Sequence, residues 1–145
     1  DGVFEACQYL ISLEYRIIVI TNQSGISRGY YTEQDFQNIN NWMIGQFKKN
    51  AINILDVFHC PHLPDSNCNC RKPLPGMLIK AQYKHNINMK KSWAIGDQES
   101  DIIAAISSGI SNTILVKSGH KFNEENSCAK YIIDSIQQSN QIIFE

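Results

Sequence analysis

No apolar stretch in this chain approaches the roughly 20 residues that a membrane-spanning helix needs. The first residues also lack the charged and apolar regions of a secretory signal. Both absences point to the cytoplasm. There is no excess of basic residues either: 13 Lys and Arg stand against 14 Asp and Glu, for a formal net charge of −1. A nucleic-acid or anionic-membrane partner would normally leave a basic footprint, so the expected partner is a small molecule and the expected state a monomer. Repeats, linkers and low-complexity tracts are missing as well. The 145 residues therefore read as a single domain, 1–145, long enough to bury a core without disulfides. The five cysteines are an odd number, and three of them crowd into one loop. That arrangement suits metal ligation under reducing conditions better than a disulfide framework.

What is present is an alternation of helix and strand. Val3, Phe4, Cys7, Leu10 and Ile11 share a helical face, and Arg16 to Ile20 reads as a strand, β-branched continuously after Arg16. Thr32 and Asp35 form a capping signal ahead of Phe36, Ile39, Met43 and Phe47 at helical spacing. Further on, strands are expected at 56–59, 93–95, 113–116 and 131–133. Helices are expected at 77–83, at 101–107 and, after the last strand, through Ile142. Strands too continuously apolar to be half exposed imply a Rossmann-like parallel sheet with helices on both faces. Cys7, on an apolar helical face, reads as packing, and Cys128, in a polar stretch, as exposed. His59, His85 and His120 have no ligand-forming neighbours and read as ordinary histidines.

In such sheets the chemistry gathers beyond the carboxyl ends of the strands. Three segments lie there. Thr21-Asn22-Gln23-Ser24-Gly25 offers a hydroxyl, an amide and a flexible backbone able to wrap an anion. Cys60-Pro61-His62 and Cys68-Asn69-Cys70 bring three thiols and an imidazole together, a common closed tetrahedral zinc set. Four protein ligands leave no position for a catalytic water, so such a zinc would be structural, holding a loop without a core of its own. Directly after it, Arg71-Lys72-Pro73-Leu74-Pro75-Gly76 pre-positions two cations. Arg can grip a phosphate bidentately while Lys acts as a movable point charge. The third segment is Gly96-Asp97-Gln98-Glu99-Ser100-Asp101. A carboxylate at a strand end is a natural Mg²⁺ ligand, and the second can orient its neighbours as a helix begins.

Taken together, these motifs resemble the haloacid dehalogenase-like superfamily. Within it, Thr21 to Gly29, Cys60-Pro61-His62 and Cys70 to Met77 look like the zinc-containing heptose-1,7-bisphosphate 7-phosphatases, over nearly the whole chain. Histidinol-phosphate phosphatases share the zinc loop and Arg-Lys-Pro. The resemblance implies a Mg²⁺-dependent phosphomonoesterase with a zinc-bound loop and no large cap. Thr21 and Lys72 would be catalytic. Thr21, Asn22, Gln23, Ser24, Arg71, Lys72 and Gln98 would contact a phosphorylated sugar. Asp97 would bind Mg²⁺, and Cys60, His62, Cys68 and Cys70 would bind zinc. Two departures stand out. Gln98 replaces the Lys that follows the metal Asp in those enzymes. The superfamily's Asp-x-Asp-Gly-Thr motif, whose first Asp would form an aspartyl-phosphate, does not occur here. The first βα unit and central strand are therefore expected to be missing, and these residues alone are not expected to turn over substrate. A zinc-stabilised binding module without catalysis is the reading from another class.

Overall fold

The structure is a computed structural model and describes residues 2–117 and 124–144. His120, read above as an ordinary histidine, lies outside them. The chain runs α1 (Val3–Ser12), β1 (Ile17–Asn22), α2 (Glu33–Lys49), β2 (Ile54–Cys60), α3 (Gly76–His85), β3 (Trp93–Gly96), α4 (Glu99–Ser108), β4 (Asn112–Val116) and β5 (Tyr131–Ile133). Short 3₁₀ segments occur at Met89–Lys91, Glu124–Asn126 and Ile136–Gln141.

Local chemistry accounts for most of the boundaries. Thr32 starts α2 through a full capping box: its hydroxyl accepts from the Asp35 amide at 3.0 Å, and the Asp35 carboxylate accepts from the Thr32 amide at 2.9 Å. Gly109, at φ +106, ends α4 in the left-handed region that disfavours side-chain-bearing residues. The last helix departs from expectation. Instead of a helix reaching Ile142 there is the 3₁₀ segment Ile136–Gln141. Four successive polar residues, Gln137 to Asn140, leave no apolar stripe to bury. The Gln138 side chain also turns back to accept from the Asp134 amide at 2.8 Å, competing with regular helix.

All strand pairings are parallel, as the apolar runs implied, but they form two sheets rather than one. β1 pairs with β2, and β3, β4 and β5 pair in that order. Among the described residues no ladder joins β1 to β3. Helices cover both faces. On one, Leu78 of α3 and Ala104 and Ala105 of α4 pack with Met89 and Ile110, and Ile20 and Ala94 lie against them. On the other, Leu10 and Leu13 from α1 and its end pack on Ile114, Ile133 and Ile143, and Phe4 of α1 meets Phe47 of α2 edge-to-face at 5.1 Å. Cys7 is buried, and burial pushes its thiol pKa up. That is the packing role its helical face suggested.

Two histidines have partners that the sequence did not reveal. The Nε2 of His59 lies 2.7 Å from Glu33, and its ring packs on Phe36 at 4.4 Å. His85 Nε2 lies 2.8 Å from Asp56 Oδ2, which Lys84 also approaches at 2.8 Å. Desolvation opposes ionisation of Asp56, but hydrogen bonds from Lys84, His85 and the Val57 amide outweigh it and lower its pKa to about 2. A carboxylate pKa depressed below its unfolded value of about 3.9 contributes stability above that value, and the contribution is lost as pH falls toward 2. The exposed Lys84 keeps the effect modest. Asp56→Asn should therefore lower the melting temperature at neutral pH, and its gap from the wild type should close between about pH 4 and pH 2. Paired thermal melts across that range check it.

Candidate active site and metal centre

The carboxyl ends of β1, β2 and β3 carry the three segments, and short polar contacts bind them into one assembly. The register places Thr21 beside His59 and Asn22 beside Cys60, so the polar end of β1 starts next to the first metal-type ligand. The Gln23 amide continues the ladder by donating to the Cys60 carbonyl at 2.7 Å. Ser27 donates to the Pro61 carbonyl at 2.5 Å, tying the loop after β1 to the loop after β2.

In that second loop the ligand atoms of Cys60, His62, Cys68 and Cys70 all lie within 4.8 Å of one another. His62 Nδ1 stands 3.3 Å from Cys60 Sγ and 3.1 Å from Cys70 Sγ, and Cys68 Sγ is 3.8 Å from Cys60 Sγ. Ser66 donates to Cys68 Sγ at 3.2 Å, and this hydrogen bond is the main cause lowering the Cys68 thiol pKa. The set can hold a metal ion, as the sequence suggested. Cys60 and Cys70, with Cα atoms 5.7 Å apart, are also placed to pair as a disulfide, a second chemistry for the same side chains. The loop is anchored through its sulfur side: buried Cys60 packs with Phe58, Met77 and Ala81, and Cys68 and Cys70 lie against that cluster.

The loop then delivers Lys72. Gly76, at the start of α3, donates to the Asn69 carbonyl at 3.0 Å. A Cβ there would fall 2.1 Å from the Asn69 oxygen, so only glycine lets the helix start seat against the loop. Between them, Asn22 clasps the Lys72 backbone. Its Oδ1 accepts from the Lys72 amide at 3.1 Å, and its Nδ2 donates to the Lys72 carbonyl at 3.4 Å. The Lys72–Pro73 peptide is cis. The ammonium of Lys72 donates to the Ile20 carbonyl at 3.0 Å and to Asp101 Oδ1 at 2.5 Å. Both side chains of that ion pair are largely shielded, at 12% and 17% exposure, so solvent screens it less than a surface pair.

The spacing of Gly96, Asp97 and Asp101 now has a physical reason. The other oxygen of Asp101 accepts from the Gln98 amide at 3.1 Å, capping α4. A Cβ on Gly96 would lie 2.5 Å from that carboxylate. Glycine at 96 is thus what allows Asp101 to sit behind the strand end and reach Lys72. Capping of α4 and the orienting role expected of the second carboxylate are both filled by the same side chain.

Thr21, Asn22, Lys72, Asp97, Gln98 and Asp101 line one groove of about 840 Å³. Gln23, Ser24 and Arg71 are not part of that lining. Gln23 donates to Thr21 Oγ1 at 2.9 Å and accepts from the Tyr31 hydroxyl. Ser24 Oγ receives Arg28 Nε at 3.3 Å, and Arg71 donates to the His62 carbonyl at 3.3 Å. Sequence reasoning missed Tyr31, whose aromatic ring packs against Gly25, and the Ile20 carbonyl. A main-chain acceptor carries no residue-type signal, whereas a Tyr six residues after the loop glycine could have been noticed.

The family model described as "HAD-hyrolase-like" matches residues 69–139. The chain is 46% identical over 119 residues to D-glycero-alpha-D-manno-heptose-1,7-bisphosphate 7-phosphatase of Photorhabdus laumondii, covering 77% of this chain and 65% of that relative's length. It is 45% identical over 121 residues to the phosphatase of the same name from Campylobacter jejuni, covering 83% of this chain and 69% of the relative. With D-glycero-beta-D-manno-heptose-1,7-bisphosphate 7-phosphatase of Yersinia pestis it shares 36% identity over 144 residues, 94% of this chain and 77% of the relative. In structure it superposes on a D,D-heptose 1,7-bisphosphate phosphatase from B. bronchiseptica complexed with magnesium and phosphate. The TM-score is 0.82 and the identity 25%, covering 98% of this chain and 83% of that one. On these likenesses the chain belongs to the heptose-1,7-bisphosphate 7-phosphatase family of HAD-like hydrolases.

Proposed function

We propose that this chain supplies the phosphate-handling half of a phosphatase that removes the 7-phosphate of D-glycero-D-manno-heptose 1,7-bisphosphate, a cytoplasmic step toward the heptose of lipopolysaccharide. The observation that carries this reading is the delivery of Lys72 to the end of β1, beside Thr21 and opposite the Gly96–Asp101 turn. A fixed ammonium and a hydroxyl at one strand end can neutralise and hydrogen-bond the oxygens of a transferring phosphoryl group. The nucleophilic carboxylate implied by the family's Asp-x-Asp-Gly-Thr motif is not among these residues.

Each side chain then has a distinct task. Lys72 takes up charge on the phosphoryl oxygens as it develops, and Thr21 donates to one of them. Asp101 aims the ammonium, and Asn22 fixes the main chain from which it projects, so Asn22 is a positioning residue more than a direct substrate contact. Gln98, at the start of α4, offers an uncharged amide at the same rim, and Gln23, Ser24 and Arg71, which lie outside the groove lining, would meet the part of the sugar that extends beyond it. Asp97, a hard oxygen donor at the end of β3, would hold Mg²⁺, which when bound neutralises charge on the phosphate oxygens. Three thiols and one imidazole within reach of a common point suit zinc better than any hard cation, and such an ion would fix the loop that presents Arg71 and Lys72.

Phosphate release should be measured for the protein carrying these residues against heptose 1,7-bisphosphate and histidinol phosphate. The bisphosphate should be strongly preferred, and preference for histidinol phosphate would move the protein to the sister activity. Release from neither would favour a binding module. In the same assay Lys72→Ala should lower kcat by roughly two orders of magnitude, as for loss of one transition-state donor. Arg71→Ala should chiefly raise KM, because its fork contributes recognition. An identical, modest KM rise in both variants would reduce the pair to an electrostatic patch.

Zinc makes a separate prediction. Cys68→Ser should lose one equivalent of zinc by metal analysis and melt at lower temperature, since structural zinc contributes folding energy. A Cys60–Cys70 disulfide in protein purified without chelator, with no zinc present, would contradict it.

A further inference from the structure

The hydroxyl that Thr21 brings to the groove is held from behind. Gln23 Nε2 donates to Thr21 Oγ1 at 2.9 Å, and Gln23 Oε1 accepts in turn from the Tyr31 hydroxyl. Thr21 lines the groove, whereas Gln23 and Tyr31 are not part of its lining. A chain of donors thus runs from Tyr31 through the carboxamide to the polar end of β1. A carboxamide can be turned either way, and the two ways differ in what they leave to Thr21. With Nε2 toward Thr21, the Thr21 oxygen accepts and keeps its one proton for another partner. With Oε1 toward Thr21, Gln23 takes that proton and no donor remains for the groove. In the orientation present, the proton goes to the Asn22 carbonyl at 3.3 Å, well beyond the usual O–H···O distance of about 2.7–2.8 Å. A bond that long gives up little when the hydroxyl turns to a phosphoryl oxygen. A dianionic phosphoryl group only accepts, so the chain must run toward it, and hydrogen bonds that run one way reinforce one another. The Tyr31 proton starts that run by holding Oε1 on the tyrosine side.

Tyr31 is fixed where it can do this. Its ring lies over buried Gly25, where a Cβ would fall 2.3 Å from a ring carbon. The Tyr30 amide donates to the Gly25 carbonyl at 2.9 Å and folds the loop back on itself. Thr32, next in the chain, caps α2, and α2 is tied to β2 by Glu33, 2.7 Å from His59. His59 is the residue beside Thr21 in the register, so both ends of the path from Thr21 to Tyr31 are fastened to one strand pair.

We propose that Tyr31 is a positioning residue for phosphoryl transfer: through Gln23 it keeps the Thr21 proton available to the phosphoryl oxygens. This rests on the phosphatase reading above and adds to it a residue that touches no substrate. No covalent bond is made or broken along the chain; each proton stays on its own atom, and only the Thr21 hydroxyl rotates. One N–H of Gln23 serves Thr21, which leaves the other for substrate beyond the groove.

The test uses the whole protein carrying these residues, with heptose 1,7-bisphosphate and with p-nitrophenyl phosphate, which shares only the phosphoryl group. Tyr31→Phe keeps the ring over Gly25 and removes the hydroxyl. It should lower kcat about five- to tenfold, the worth of roughly one hydrogen bond, by the same factor for both substrates and with KM unchanged. In a Thr21→Val background, which has no proton to orient, Tyr31→Phe should change nothing further. A sugar contact would instead raise KM for the bisphosphate alone, and a packing role would persist in the Thr21→Val background. Either result, or an unchanged kcat, overturns the proposal and leaves the phosphatase reading standing. Wild-type protein that hydrolyses neither ester sinks both. Should Tyr31→Phe not fold, Gln23→Met, which removes the linking amide, gives the same decision: a kcat loss on p-nitrophenyl phosphate that vanishes in the Thr21→Val background supports the relay, and an unchanged kcat or a loss that persists there overturns it.

Discussion

Lys72 is the point at which the end of β1, the Cys/His loop and the start of α4 meet. Its ammonium lies between a main-chain carbonyl at the end of β1 and the carboxylate that caps α4, while its backbone is clasped by Asn22. A cation so shielded is costly to leave unpaired. The geometry therefore constrains its surroundings: Gly96 has no room for a side chain, Asp101 must fall at the first turn of α4, and the metal-type loop must end within reach of β1. The Gly-Asp-x-x-x-Asp spacing and the Arg-Lys-Pro segment are two ends of one ion pair.

The Cys/His loop is the device that brings the lysine there. The stretch from Pro61 to Pro75 contains no helix or strand, and its apolar anchorage to the protein runs through the cysteine side chains. Such a segment cannot offset its own ordering entropy by burial, so a cross-link through sulfur, by metal or by disulfide, takes the place of a core. A metal held by all four residues constrains two short pairs at once and fixes the path from Cys60 to Cys70. Lys72 follows only two residues later, so loosening the loop would be felt at the ammonium.

Much of this could be read from residue order. Alternating apolar runs and helical faces gave the parallel α/β architecture, because period and continuity of apolar residues survive in one dimension. The thiol and imidazole cluster was legible because its ligands are near in sequence, and the gathering of Thr21, Lys72, Asp97 and Asp101 along one groove was legible because they follow strands or precede helices. The ion pair from Asp56 to Lys84 and His85 was not, since nothing local marks a partner almost thirty residues away. The clasp of the Asn22 carboxamide on the Lys72 backbone was not legible either; amides serve ligand and main chain equally well, and a residue type does not mark a main-chain partner. The polar end of the chain read as helix because its flanking isoleucines suggested a face that the intervening glutamines and serine do not supply. The division into two sheets follows from strand edges that the sequence marks only by being apolar.

The dependence of the site on the Lys72–Asp101 pair is open to one direct measurement. A double-mutant cycle on kcat for phosphate release, with Lys72→Ala, Asp101→Asn and both together, separates a group that acts through its partner from one that acts alone. If Asp101 works by aiming the ammonium, the double variant should be no slower than Lys72→Ala. Fully additive losses would show that the two residues act independently, and the account built on their contact would fail.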